Sequence, residues 1–167
     1  MILYVTGPDF AGKSTLIQKL NKGNKGLVLH NGTYPGLDTQ ELFQVYRNQL
    51  DMAVRANESR DVFIDRAPID EAIYGPIFRE KSRLGALELI SLDLTAERFG
   101  VKKLFLDPGD ATLIERFRGD RGDDLVERED QLLEIADAYR GYLGASRPGA
   151  TNWIHWTPGH DFIASLL

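Results

Sequence analysis

Residues 7–14 read Gly7-Pro8-Asp9-Phe10-Ala11-Gly12-Lys13-Ser14, which fits the pattern Gly-x-x-x-x-Gly-Lys-Ser/Thr of a phosphate-binding loop. Few backbones satisfy such a segment. Two glycines let the chain wrap with its N–H groups turned inward, where they cradle phosphate oxygens. Lys13 supplies a point charge for terminal phosphates, and the Ser14 hydroxyl is a ligand for Mg²⁺. A helix starting at the loop aims the positive end of its dipole at the anion. The context agrees. Ile2-Leu3-Tyr4-Val5-Thr6 is an apolar run of β-formers just before the loop, and Leu16, Ile17 and Leu20 share one helical face just after it. Strand, glycine loop and helix together imply a nucleoside triphosphate as ligand.

The rest of the chain alternates in the same way. Strands are expected at residues 26–30, 61–65, 101–106 and 153–156, each a short apolar run. Helices are expected over 14–22, 40–57, 84–99, 110–117, 126–143 and 161–167, with Asp38 or Thr39 capping the second and Gly100 stopping the third. Alternating strands and helices dictate parallel βαβ units in an α/β, doubly wound sheet of five strands with helices on both faces. At 167 residues the chain forms one domain, 1–167, with a full core. Ligands bind such sheets beyond the carboxyl ends of the strands.

Composition narrows the chemistry. The chain has no cysteine, which excludes thiolate nucleophiles, thiolate metal sites and disulfides. His30, His155 and His160 do not have a metal-ligand spacing. A net charge of −5 disfavours a protein whose main task is gripping a nucleic-acid backbone. No apolar stretch is long enough to span a membrane, and no charged-then-apolar leader is visible, so a cytoplasmic location is expected.

Two further segments carry chemistry. Val62-Phe63-Ile64-Asp65 places a carboxylate at the end of an apolar strand, where it can hold a metal's water shell or take a proton. Arg66 follows, and it either clamps a phosphate or pairs with Asp61 or Asp70. After the fourth strand, Arg116, Arg118 and Arg121 fall among acids and two glycines. That segment reads either as a mobile lid bringing arginines to a transferring phosphoryl group or as a salt-bridged helix end.

A phosphate-binding loop, a strand ending in Asp65-Arg66 and an arginine segment after the fourth strand resemble the nucleoside and nucleotide kinases, above all the thymidylate kinases. Asp9 in the loop, Phe43-x-x-x-Arg47, Tyr74 eight residues after Arg66, and the Tyr34-Pro35-Gly36 loop strengthen the likeness. The resemblance implies a P-loop kinase fold and transfer of the γ-phosphoryl of ATP to a deoxynucleoside monophosphate. Gly7, Asp9, Ala11, Gly12, Lys13, Ser14 and Thr15 would then bind ATP, with Mg²⁺ on Ser14 and Asp65. Asp9 would hold the acceptor's sugar hydroxyl, Arg66 its phosphate, and Phe43 and Arg47 its base, with Asp70 and Tyr74 alongside. Lys13, Asp65, Arg116 and Arg121 would be catalytic, the arginines in a lid at about 115–125, because Phe10 stands where some thymidylate kinases carry a loop arginine. A homodimer is compatible with the resemblance.

The chain departs from the pattern at Ala67, usually Tyr or His, and at Asp70, usually Ser. The alternatives are a kinase of a nucleoside or of a nucleotide within DNA, and a non-kinase ATPase or switch. The last is disfavoured because neither Asn-Lys pair, Asn21-Lys22 or Asn24-Lys25, continues into the base-reading motif of a GTPase.

Overall fold

The computed structural model describes residues 1–119, 126–145 and 147–157. Five strands, β1 (Ile2–Thr6), β2 (Leu27–His30), β3 (Val62–Asp65), β4 (Lys102–Leu106) and β5 (Trp153–Trp156), form one sheet in the order β2-β3-β1-β4-β5. Every pairing is parallel. The helices are α1 (Lys13–Leu20), α2 (Thr39–Asn57), α3 (Ile69–Arg79), α4 (Ala86–Arg98), α5 (Asp110–Gly119) and α6 (Glu129–Gly144), with a short 3-10 turn at Lys22–Asn24. The chain crosses from β1 outward to β2 and then returns through β3. With right-handed crossovers, this reversal puts α1 on one face of the sheet and α2 on the other. The expected α/β sheet of five parallel strands flanked by helices is therefore the observed one.

β1 and β3 are buried along their whole length, which explains why these two runs are apolar up to their last residue. Leu3, Val5, Val62, Ile64 and Leu104 have no exposed surface. A second apolar cluster, with Leu42 and Tyr46 of α2 against Leu89 and Leu92 of α4, sits beside the main core. Asp38, not Thr39, caps α2. Its side chain accepts from the Glu41 N–H while the Glu41 carboxylate accepts from the Asp38 N–H.

Helix α3 has no counterpart in the sequence reading. Pro68 and Pro76 lie in or beside it, and both read as breakers. Pro68 sits at the helix start, where its missing N–H costs nothing. Pro76 is a true interior proline. Tertiary burial overrides its cost, because Ile69, Ile73 and Tyr74 of α3 all join the main core. The expected helix at 161–167 and most of the expected lid, including Arg121, lie outside the described residues, as does His160. Among the described residues no helix is long and apolar enough to cross a membrane.

Register aligns the chemistry. Asp65 is the pairing partner of Val5 on one side and of His30 on the other, and Leu106 pairs with Trp156. The carboxyl ends of all five strands thus share one edge, directly above the loop that leaves β1.

Candidate active site

The loop from Gly7 to Gly12 joins β1 to α1 at this edge. Gly7 has φ 144°, and a Cβ there would lie 2.5 Å from the Leu106 carbonyl oxygen. Gly12, with φ 94°, occupies the position before α1. Both glycines of the motif are therefore required by the backbone itself. Lys13 is nearly buried. Its Nζ donates to the carbonyls of Gly7 (3.0 Å) and Pro8 (2.8 Å), with Asp9 at 4.0 Å. Burial lowers the Lys13 pKa, and Arg66 adds to this, against the opposing pull of Asp9, Asp65 and Asp70. The ammonium is thus held inside the loop.

A cleft of about 780 Å³ opens over the loop. Asp9, Ala11, Gly12, Lys13, Ser14 and Thr15 form its floor, and His30, Asp65, Arg66, Arg116 and Trp156 close its sides. Arg116 reaches in from the last turn of α5 and donates to the carbonyls of Phe10 and Ala11, both at 2.9 Å. Arg118 turns outward instead and pairs with Glu129. Arg118 thus matches the salt-bridged reading of the segment, while Arg121 lies outside the described residues.

Asp65 ends β3 inside this cleft. Its Oδ2 lies 3.2 Å from His30 Nδ1, while its Oδ1 is buried and has no hydrogen-bond partner among the described residues. A buried carboxylate oxygen without a donor is costly, by about 1–3 kcal/mol, and is the kind of group a ligand or metal-bound water satisfies. The exposed Ser14 hydroxyl lines the same cleft. One carboxylate and one hydroxyl, with phosphates and waters completing the shell, is a donor set that fits Mg²⁺. No cluster of three His, Cys, Asp or Glu side chains suited to a metal occurs among the described residues, so no all-protein cage competes with this arrangement.

A second cleft, of about 190 Å³, adjoins the first and shares Asp9, His30 and Arg66 with it. Its other walls come from the loop after β2 (Asn31, Gly32, Thr33), from Tyr46 of α2, and from Asp70, Glu71, Tyr74 and Arg79 of α3. Arg66 adopts a left-handed backbone, φ 72°, which turns its guanidinium toward this junction. It pairs with Asp9 rather than with Asp61 or Asp70, and it lies over the Tyr74 ring at 5.0 Å from the centroid. The Tyr74 hydroxyl donates to the other Asp9 oxygen at 3.2 Å.

Asp70 is committed to the protein. It accepts from Thr6 Oγ1, from the Tyr139 hydroxyl (2.7 Å) and from the Ala67 N–H (3.1 Å). Burial raises its pKa despite the opposing pull of Arg66 and of these hydrogen bonds. Phe43 and Arg47 do not line either cleft. Phe43 packs against the cluster between α2 and α4, and Arg47 is exposed. Tyr46, between them in sequence, is the α2 side chain that faces the second cleft.

Several site residues carry no motif. His30 was detectable in principle, because it ends a strand at the ligand-binding edge. Glu71, Arg79 and Arg83 were not, since their roles depend on the unanticipated α3. Glu71 receives Arg79 Nη2 (2.7 Å) and, from Arg83, Nε and Nη2 (both 3.0 Å). Arg83 also donates to the carbonyls of Thr33 and Tyr34 (2.8 and 2.7 Å), which ties the loop after β2 to α3. Burial tends to raise the Glu71 pKa, but the hydrogen bonds from Arg83 and Arg79 outweigh it and hold the carboxyl below its usual value.

No family model and no curated protein matches the chain. Solved structures do. The YorR protein of Bacillus subtilis, solved in complex with phosphorylated GDP, superposes with a TM-score of 0.75 at 24% identity, over 99% of this chain and 92% of that one. Deoxyadenosine kinase from M. mycoides, solved with dCMP and dCDP, gives a TM-score of 0.55 at 14% identity, over 99% of this chain and 94% of its own. Thymidylate kinase from Candida albicans gives 0.56 at 13% identity, over 99% and 88%. With its five parallel strands in the order 2-3-1-4-5 and its glycine loop after the first, the chain has the α/β P-loop NTPase fold.

Proposed function

We propose that this chain transfers the γ-phosphoryl group of ATP to a deoxynucleoside monophosphate of the thymidylate type, forming the diphosphate. The observation that carries the reading is the junction of two clefts at Asp9, His30 and Arg66. One cleft is built on a triphosphate loop and the other is separate from it, so a second phosphate can meet the end of the first in line.

In this reading the loop N–H groups and Lys13 hold the β- and γ-phosphates of ATP. Ser14 and Asp65 hold Mg²⁺, which neutralises charge on those phosphates when bound. Arg66 leaves Asp9 to clamp the acceptor phosphate with its planar fork. Asp9 is then released to accept the sugar hydroxyl. Arg116, already against the loop, supplies positive charge beside the transferring group, and Arg121 belongs to the same segment. A monophosphate dianion needs no strong base, so positioning and charge neutralisation suffice.

A second reading, a nucleoside acceptor, is favoured by one feature: the unpartnered Asp65 oxygen could take a hydroxyl proton. An ATP-coupled assay over nucleosides, deoxynucleoside monophosphates and a DNA oligomer, with product identification, separates these. The proposal expects diphosphate products. Nucleoside turnover alone supports the second reading, and ADP release with no phosphorylated product across the panel overturns both in favour of an ATPase module.

A further inference from the structure

The acceptor's base needs a reader, and neither Phe43 nor Arg47 reaches the second cleft. We infer that Arg79, braced by Glu71, reads the base and selects oxo bases, with a carbonyl at pyrimidine C4 or purine C6 (thymine, guanine), over amino bases, with an amino group at that position (cytosine, adenine). The inference rests on the nucleotide-kinase reading above and deepens it.

The direction of the acceptor follows from the junction. Its phosphate lies where the two clefts meet, at Asp9 and Arg66, so its base lies among residues that line the second cleft alone, Tyr46, Glu71, Tyr74 and Arg79. The Arg79 side chain runs back from the last turn of α3 onto Glu71 in the first turn, so its guanidinium lies in the wall of the second cleft. Tyr46 and Tyr74 wall the same space.

The chemistry around Arg79 is one-sided. Glu71 Oε1 already accepts from Arg79 Nη2 and from both the backbone N–H and Nε of Arg83, and Oε2 accepts from Arg83 Nη2. Asp70 is likewise occupied. Arg79 spends one N–H on Glu71, and its remaining N–H groups have no partner among the described residues. A guanidinium only donates. Against the C4 or C6 edge of the base it therefore matches the carbonyl of thymine or guanine and cannot satisfy the amino group that cytosine or adenine carries there. A neutral group left unpaired against it is penalised by the asymmetry that gives polar pockets their discrimination.

The test compares four acceptors, dTMP, dGMP, dCMP and dAMP, in wild type, Arg79→Met and Arg79→Lys. Wild type is expected to favour the oxo pair in kcat/KM by about tenfold or more. Arg79→Met collapses that preference to within about twofold, through acceptor KM, while the KM for ATP moves little. Arg79→Lys, still a donor, recovers part of it. A uniform loss over all four acceptors, or a preference that survives in Arg79→Met, overturns the inference. If wild type phosphorylates no nucleotide, the kinase reading fails, and calorimetric binding of the same four monophosphates decides this inference separately. Oxo-selective binding abolished by Arg79→Met supports it, and unselective binding or none overturns it.

Discussion

Replacing Arg83 by Met removes the tether between α3 and the loop after β2 while keeping much of the side-chain volume. Four contacts disappear: two charged hydrogen bonds to the Thr33 and Tyr34 carbonyls (2.8 and 2.7 Å) and two to Glu71 (3.0 Å each). The Arg83 side chain is only 17% exposed and that of Glu71 6%, so solvent does little to replace them. Breaking a buried pair by removing one partner costs about 3–5 kcal/mol. Here Glu71 keeps Arg79 Nη2 (2.7 Å) and the Arg83 backbone N–H (3.1 Å), which lowers the expected loss to about 2–3 kcal/mol. At about 2–4 °C per kcal/mol for a chain of this size, the Tm falls by roughly 4–12 °C. Urea unfolding followed by circular dichroism measures the loss, and a double-mutant cycle with Glu71→Gln is expected to give a coupling of about 1 kcal/mol or more. The pH profile adds a check. The Glu71 pKa is depressed on folding, so its contribution is present above its unfolded value, ordinarily 4.5, and is lost as pH falls through the folded value. Arg83→Met shrinks that acid loss. Because the tethered loop walls the second cleft, the acceptor KM rises while the KM for ATP does not. A destabilisation below about 0.5 kcal/mol would mean that Arg83 does not tether the loop to α3.

Three further outcomes are expected. Lys13→Met abolishes phosphoryl transfer but leaves the Tm of the ligand-free protein unchanged or higher, because the residue removed is a buried cation whose charge the fold disfavours; calorimetry beside the coupled assay checks both. Arg116→Ala lowers kcat by a factor on the order of 10³, with less effect on the KM for ATP, as measured by steady-state kinetics. Asp70 has a raised folded pKa, so between its unfolded value, ordinarily 3.8, and the folded one the native state binds more protons and stability falls as pH rises. Asp70→Asn flattens that slope in unfolding curves collected from pH 4 upward.

The loop was legible because each of its fixed positions answers a backbone or charge requirement, visible here in the φ of Gly7 and the near contact with Leu106. Strand ends were legible for a related reason: runs such as Val62–Asp65 must be apolar until they leave the sheet, and the first polar residue marks the ligand edge. Helix α3 was hidden by Pro76, whose local cost is outweighed by burial that only the folded chain supplies. With α3 hidden, Glu71, Arg79 and Arg83 could not be assigned to a cleft. The spacing of Phe43 and Arg47 on α2 was real, but rotation of that helix presents Tyr46 to the second cleft. The partners of Asp9 were not legible, because its hydrogen bonds from Arg66 and Tyr74 span 57 and 65 residues of sequence.

In the proposed reaction the two clefts form one continuous path for a donor and an acceptor phosphate. An adenosine–thymidine conjugate joined by five phosphates tests that path. A molecule filling both clefts gains from linkage, so it is expected to bind about 10²-fold or more tighter than ATP or dTMP alone and to compete with each of them. Competition with ATP only, at an affinity no better than that of ATP, would contradict it.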